Sequence, residues 1–397
     1  MKILLLAPQP FYQLRGTPIA VRLLAEVLGK QGHLITLLTY HEGDDVEIAN
    51  VSIRRVSGIP FVNKIPPGPS IKKILCDLLL LHESIRLVKA DRYDLVHAVE
   101  EASFIAAVLK KRYGIPFIYD MDSSMAQQIT EKFAVAGILK PFLSSLENYT
   151  IRQSLGVIAV CKYLEDIVFA VDPTKPVLRL EDISLLGDQV GEEEDLKETL
   201  RIDGKIIMYV GNLEKYQGVD LLLRSHQKVL EEIQSAHLVV VGGNKRAIEK
   251  YRRKASLLNL GSRVHFIGPR PLSRLGSYLV QADVLVSPRI RGANTPMKIY
   301  SYLDSGKPVV ATSLLTHTQV LNHEIAVMVA PDPMDMAQGT LALLKDEERA
   351  KGVARRAKER VRREFSREAY ERKLSGFYVE IENEAVRSQP SQMGGNR

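Results

Sequence analysis

Arg289, Arg291 and Lys298 gather three cations around one short loop late in this 397-residue chain. The loop leaves a brief apolar run at Ala282–Ser287, passes Gly292 and enters a predicted helix, after which Pro308–Ala311 reads as another strand. Strand ends that lead into helix N-termini are where open α/β sheets bind phosphorylated ligands. Lys298 falls in the first turn of that helix, where a cation opposes the helix dipole, so an anionic ligand would offset a local cost. Arg289 and Arg291 alternate on an extended segment and face opposite ways. Arg289, nearer the strand end, is the one expected to reach the ligand. Asn294 and Thr295 are expected to cap the helix, with Pro296 at its first position. Ser301 shares a face with Lys298 and reads equally as a sugar or ribose contact and as packing. This chemistry fits a nucleotide diphosphate carrying a group to transfer.

A second set lies in the first half. His97 ends a strand and is followed by Glu100 and Glu101, while Asp120 and Asp122 end the next strand. Carboxyl ends of parallel strands are the functional edge of such sheets. His97 and Asp120 are therefore candidate catalytic residues that bind an acceptor or assist its deprotonation. Glu100, Glu101 and Asp122 are candidate acceptor contacts, joined by Arg15 and Thr17 at the start of the first helix. His97 reads equally as a hydrogen-bonded core residue. Asp120-Met-Asp122 also has the spacing of a divalent-metal element, but it belongs to a fold with one nucleotide-binding half, and no metal is expected here. His33 reads as structural.

The elements that must hold these residues alternate strand and helix along the whole chain, which is the grammar of helix-covered parallel sheets. Strands are expected at Ile3–Ala7, Ile35–Thr39, Val51–Val56, Leu95–Ala98, Phe117–Asp120 and Val157–Val160. The pattern then repeats at Ile206–Val210, Leu238–Val241, Val264–Ile267, Val284–Ser287, Val309–Ala311 and Ala326–Val329. The length suggests two domains, and two doubly wound halves imply a cleft between them as the default ligand position. The crossing is expected around Val177–Asp188, before a polar stretch at 190–203. Lys345–Glu364 reads as a charged, solvated helix.

Hydrophobic residues make up 45% of the chain and charged residues 25%, an ordinary globular balance. Cys76 and Cys161 cannot form a disulfide framework or a zinc site by spacing, and they fit a reducing compartment. The opening apolar run is too short for a signal peptide and reads as a buried strand. No apolar stretch reaches transmembrane length. The net charge of +7 favours anionic partners, whereas 6% aromatics and the lack of a stacking motif argue against nucleic acid. Ile65–Leu81 joins a turn to a very apolar helix with paired lysines at its start. It reads either as a peripheral membrane contact or, slightly better, as an ordinary buried helix.

Five features recur in a known order: a first strand, then a loop with Gly16 and a helix ending Gly32-His33; Tyr209-Val-Gly-Asn-Leu-Glu-Lys-Tyr-Gln-Gly-Val-Asp-Leu-Leu-Leu223; Val239-Val-Val-Gly-Gly243; Pro296 to Thr312 with Gly306-Lys-Pro-Val-Val-Ala311; and Phe365-Ser-Arg-Glu-Ala-Tyr370. With them the chain resembles the family-4 glycosyltransferases over about Met1 to Glu382. The resemblance implies the GT-B fold, an α/β architecture of two Rossmann-like doubly wound domains. It implies an acceptor-binding domain over 1–185 and a donor-binding domain over 186–364. A C-terminal helix over 365–385 would return to the first domain, followed by a disordered tail over 386–397.

The implied reaction is sugar transfer from a nucleotide diphosphate sugar to a glycan or lipid-linked acceptor, with retention of configuration. The nucleotide sugar would be a co-substrate, with no further cofactor. The resemblance assigns donor contacts to Gly16, Gly211, Asn212, Lys215, Gln217 and Gly243, beside Arg289, Lys298 and Ser301. The expected location is cytoplasmic, at the inner face of the membrane where a lipid acceptor is used.

The chain departs from the family pattern in its acids. Family members usually carry two glutamates eight positions apart in this loop and helix. Ser301 holds the second position, and 290–295 contains no acid. Asn212 and Gln217 stand where the family has Arg and Lys. Two rival readings follow: a non-catalytic binder of nucleotide or glycan, and a nucleotide-sugar epimerase, which would need acids in the donor site.

Overall fold

The computed structural model describes residues 1–60, 62–66, 68, 70–132, 140–186 and 194–388. The chain divides into two compact units. One comprises Met1–Glu181 with the chain from Tyr370 onward, and the other comprises Asp182–Ala369.

The first unit is built on β1 (Lys2–Ala7), β2 (Leu34–Thr39), β3 (Val51–Arg55), β4 (Leu95–Val99), β5 (Phe117–Met121), β6 (Gly156–Ala159) and β7 (Val177–Arg179). Their order is β3-β2-β1-β4-β5-β6-β7, and each neighbouring pair is parallel. The run Ile3-Leu-Leu-Leu-Ala7 is wholly buried because the central strand is covered on both faces. Strand order reverses between β1 and β4, the position where such sheets open a site at their carboxyl edge.

The second unit repeats the plan with β8 (Ile206–Val210), β9 (His237–Val241), β10 (Val264–Gly268), β11 (Val284–Ser287), β12 (Val309–Thr312) and β13 (Val327–Val329). Their order is β10-β9-β8-β11-β12-β13, again all parallel. Two apolar layers sandwich the sheet. One gathers around Tyr209, Leu222, Val240 and Met336, and the other around Met208, Val239, Leu285 and Leu303. The reversal here lies between β8 and β11, so the loops after Val210 and Ser287 share one edge of the sheet.

Several boundaries differ from the sequence reading. Where the crossing was expected, Val177–Arg179 pairs with β6 as a seventh strand, and 187–193 lies outside the described residues. The charged helix begins at Glu347, not Lys345, because Asp346 interrupts the chain and its side chain caps the next helix at Arg349 N–H. The last helix runs Arg367–Ser388, through the first three residues of the expected tail. Residues 389–397 lie outside the described residues. Phe377 and Ile381 of that helix press on Gly156, where an added Cβ would come within 2.8 and 2.7 Å of them.

Candidate functional site

In the second unit, β11 ends at the buried Ser287 and the loop that follows delivers Arg289 and Lys298. The Arg289 Nη1 donates to the Asn294 carbonyl at 2.8 Å and to Thr316 Oγ1 at 2.6 Å. Its guanidinium lies 5.1 Å from the centre of the Tyr216 ring, while its Nε is buried with no hydrogen-bond partner. The Lys298 ammonium lies 4.0 Å from the centre of the Tyr209 ring and 3.3 Å from Gln217 Oε1. Burial, followed by the nearby Arg289 charge, holds its pKa well below the ordinary lysine value. Burial also lowers Arg289. Neither cation has a carboxylate partner among the described residues. Two cations brought together this way stay charged at a cost unless an anion joins them.

The loop after β8 completes this edge. Gly211 has φ 149°, and a Cβ there would sit 3.0 Å from the Tyr209 hydroxyl and 3.4 Å from Lys298 Nζ, so only glycine lets the backbone approach. Tyr209 donates its hydroxyl to the Asn212 carbonyl at 2.6 Å, and the Val210 N–H donates to the Tyr302 hydroxyl at 2.7 Å. Tyr209 therefore positions both the turn and the cation.

Sequence reasoning gave Thr295 a capping role and missed Tyr209 and His317. The helix starts at Lys298, and Met297 in its cap position supplies no side-chain cap. Thr295 thus does not cap. Its buried Oγ1 has no hydrogen-bond partner, as is also true of Arg289 Nε on the same loop. His317 Nδ1 donates to the Thr312 carbonyl at 2.8 Å, which leaves Nε2 to accept from the Ser287 hydroxyl at 2.9 Å. Burial pushes its pKa down to about 3, so the ring is neutral. The polar run Thr316-His317-Thr318-Gln319 after β12 was the available signal. Its side chains tie down the 289–295 loop, with Gln319 Nε2 donating to the Ala293 carbonyl.

The other expected donor residues take several different places. Ser301 is wholly buried, and its Oγ accepts the Leu185 N–H at 3.0 Å, so it packs and does not face a ligand. Arg291 is exposed. Lys215 lines a separate groove beside the helix Lys245–Leu257. Asn212 is exposed and turns its Oδ1 to the Glu214 N–H. An added Cβ on Gly243 would meet Leu213 at 2.5 Å, so its role is close packing of the turn. Gln217 is buried beside Lys298.

In the first unit, His97 is wholly buried and bonded at both nitrogens. Nδ1 lies 2.6 Å from the Tyr378 hydroxyl and Nε2 lies 3.1 Å from Asp120 Oδ2. A ring occupied on both sides has no free nitrogen to offer a substrate, so His97 sits here as a hydrogen-bonded core residue. The tyrosine donates to Nδ1, and Nε2–H donates to the carboxylate. Asp120 keeps some exposure at the end of β5. Tyr378, far along the chain, was not legible as part of this group.

Glu100 has φ 48°, accepts the Ser123 hydroxyl at 2.8 Å and donates its N–H to the Asp120 carbonyl at 2.8 Å. Glu101 pairs with Lys73, and burial raises its pKa. It is an internal partner and not a free acceptor contact. Asp122 follows β5, with Asp120 two residues before it inside the strand. Arg15 precedes the helix Gly16–Lys30 and gives it no side-chain cap. Burial lowers the Arg15 pKa against the opposing pull of Glu42 and Glu100. Gly16 has open space around its Cα, and Thr17 is partly buried. Among the described residues, no group of three or more His, Cys, Asp and Glu is arranged to hold a metal ion.

Residues 14–177 match the family model described as Glycosyltransferase Family 4, and residues 204–346 match the one described as Glycosyl transferases group 1. An uncharacterized glycosyltransferase of Methanocaldococcus jannaschii is 24% identical, over 83% of this chain and 85% of that protein. A phosphatidyl-myo-inositol mannosyltransferase of Mycolicibacterium smegmatis is 23% identical, over 91% of this chain and 90% of that protein. Among solved structures, HepE of Anabaena in complex with UDP superposes with a TM-score of 0.75 at 15% identity, covering 96% of this chain and 100% of that one.

Proposed function

The chain belongs to the family-4 glycosyltransferases, with the two Rossmann-like units of the GT-B fold, and on that premise we propose that its second unit binds a nucleotide diphosphate sugar at Lys298 and Arg289. The observation that carries this reading is the pair of neighbouring, largely buried cations without an acid partner. In sugar transfer the bond from the anomeric carbon to the diphosphate breaks, and negative charge grows on the departing oxygen. Lys298 Nζ, Arg289 Nε and Thr295 Oγ1 are donors that a diphosphate would satisfy. Fixed donors in a partly dry site stabilise such charge without reorganising. These residues support a transfer that needs no metal, and we carry over retention of configuration from the family resemblance.

The first unit is proposed to hold the acceptor, with Asp120 as the candidate base set in place by His97 and Tyr378. The acceptor class is a glycan or lipid-linked saccharide. The mannosyltransferase relative is named for a phosphatidylinositol acceptor. Ile71, Ile74, Leu75 and Leu78 are exposed along the helix Ile71–Ala90, which supports peripheral contact with a cytoplasmic membrane face. No described helix is long and apolar enough to cross a membrane.

Calorimetry with UDP, GDP and ADP and a transfer assay with the matching sugar donors test the reading. Lys298→Ala should weaken nucleotide affinity by about 1.5–3 kcal/mol. Unchanged affinity would remove Lys298 from the site. Nucleotide binding without sugar transfer would favour the non-catalytic binder, which the missing glutamates keep as the second reading.

A further inference from the structure

A groove of about 1010 Å³ opens between the turn after β8 and the helix Lys245–Leu257, and neither Lys298 nor Arg289 lines it. Lys215, Lys245, Arg246, Lys250 and Arg253 line it, against the carboxylates Glu214 and Glu249. Among the described residues none of these five cations is in an ion pair, whereas the neighbouring Lys254 pairs with Asp220. The helix adds to the imbalance. Its first turn holds Lys245 and Arg246 and no acid, although other helices of this unit begin with Asp220, Asp335 or Glu347. Cations at that end oppose the dipole. Five cations facing two acids therefore repel one another until an anion enters.

The spacing narrows the class of partner. Arg246, Lys250, Arg253 and Leu257 recur at helical intervals and form one exposed stripe. Leu257, at its end, is 82% exposed. The opposite face carries Ile248, Tyr251 and Ala255 into the core, so the helix is fixed and presents its stripe as a rigid row. A row of cations ending in an exposed leucine matches a layer of phosphates above acyl chains. We propose that this groove and stripe dock on the phosphate headgroups of an anionic lipid surface. The proposal is independent of the donor reading, because none of these cations contacts Lys298 or Arg289.

The test is co-sedimentation of the full chain with phosphatidylcholine vesicles containing increasing phosphatidylglycerol. Wild-type binding should rise with the anionic fraction and fall with salt. The exposed double variant Lys250→Glu, Arg253→Glu should bind anionic vesicles at least about tenfold more weakly, since each basic residue near such a surface is worth roughly fivefold. Its UDP affinity and thermal midpoint should match wild type. The milder pair Lys250→Gln, Arg253→Gln should fall between. Equal vesicle binding by wild type and the double variant would overturn the proposal. So would tripolyphosphate binding that the variant loses while vesicle binding is unchanged, because that places a soluble phosphate ligand in the groove. Loss of binding on Ile74→Asp with Leu78→Asp but not on the charge reversal would likewise assign lipid contact to the first unit alone.

Discussion

On the proposed donor reading, Lys298 suits an anionic ligand because it is an uncomfortable cation. Burial and the Arg289 charge lower its pKa in the free protein. A diphosphate beside it would raise that pKa again, so binding takes up a proton over the window between the two values. Nucleotide affinity is then greatest below the lowered value and falls as pH rises through it. UDP titrations across the pH range below the ordinary lysine value of about 10.4 should show this fall in wild type. Lys298→Arg, charged throughout, should give a flatter profile, and identical profiles would exclude proton uptake at this residue. Tyr209 acts on the same atom. Tyr209→Phe keeps the ring under the ammonium and should lose less UDP affinity than Tyr209→Leu, with a difference of about 0.5–2 kcal/mol. Equal losses in the two variants would mean that the hydroxyl bond to Asn212 matters and the ring does not.

At the scale of elements, the last helix meets the first unit through polar contacts that include Ser375 with Gln31 and Lys373 with Glu181, and through Tyr378 it reaches a wholly buried residue of the sheet. Tyr378 bonds His97 on β4, and His97 bonds Asp120 on β5. Tyr378→Phe would leave Nδ1 of a wholly buried ring without a donor. The cost should be about 1–3 kcal/mol, read as a lower urea midpoint. Transfer activity should fall as well, through the looser Asp120. A variant with wild-type stability and activity would show that a water replaces the hydroxyl. This group marks the limit of what the sequence could reveal. His97 and Asp120 announce themselves at strand ends, because alternating apolar runs place the ends of β4 and β5. Tyr378 lies in a helix whose pattern reads only as amphipathic, and its partner is 281 positions away. Thr295 was misread for a local reason, since Asn-Thr-Pro looks like a cap and the helix instead starts at Lys298 without one. Ser301 carried no sign that the Leu185 backbone would claim its hydroxyl.

Across the whole molecule, the strand grammar was legible because parallel strands buried on both faces must be continuous apolar runs. The titration behaviour was not, because it depends on which polar groups the fold buries. His226 and His317, both in the second unit, are buried and held neutral, with pKa values pushed down to about 4 and about 3. Burial is the main cause at both, and at His226 the neighbouring His237, His265 and Arg263 add to it. In the unfolded chain each ring would titrate near the ordinary histidine value of about 6.5. Below that value the unfolded state binds protons that the folded state refuses, so stability falls as pH drops. The contribution is complete above about 6.5 and is lost progressively toward the folded values. Each ring should cost about 2 kcal/mol at pH 5 relative to pH 7.5. His226→Gln keeps a donor for the Arg263 carbonyl and removes the titration, so its unfolding free energy should fall less steeply between those two pH values. Urea unfolding followed by circular dichroism at both pH values measures the difference. Parallel slopes for wild type and His226→Gln would mean that this ring is already solvated in the folded protein and that the acid sensitivity arises elsewhere.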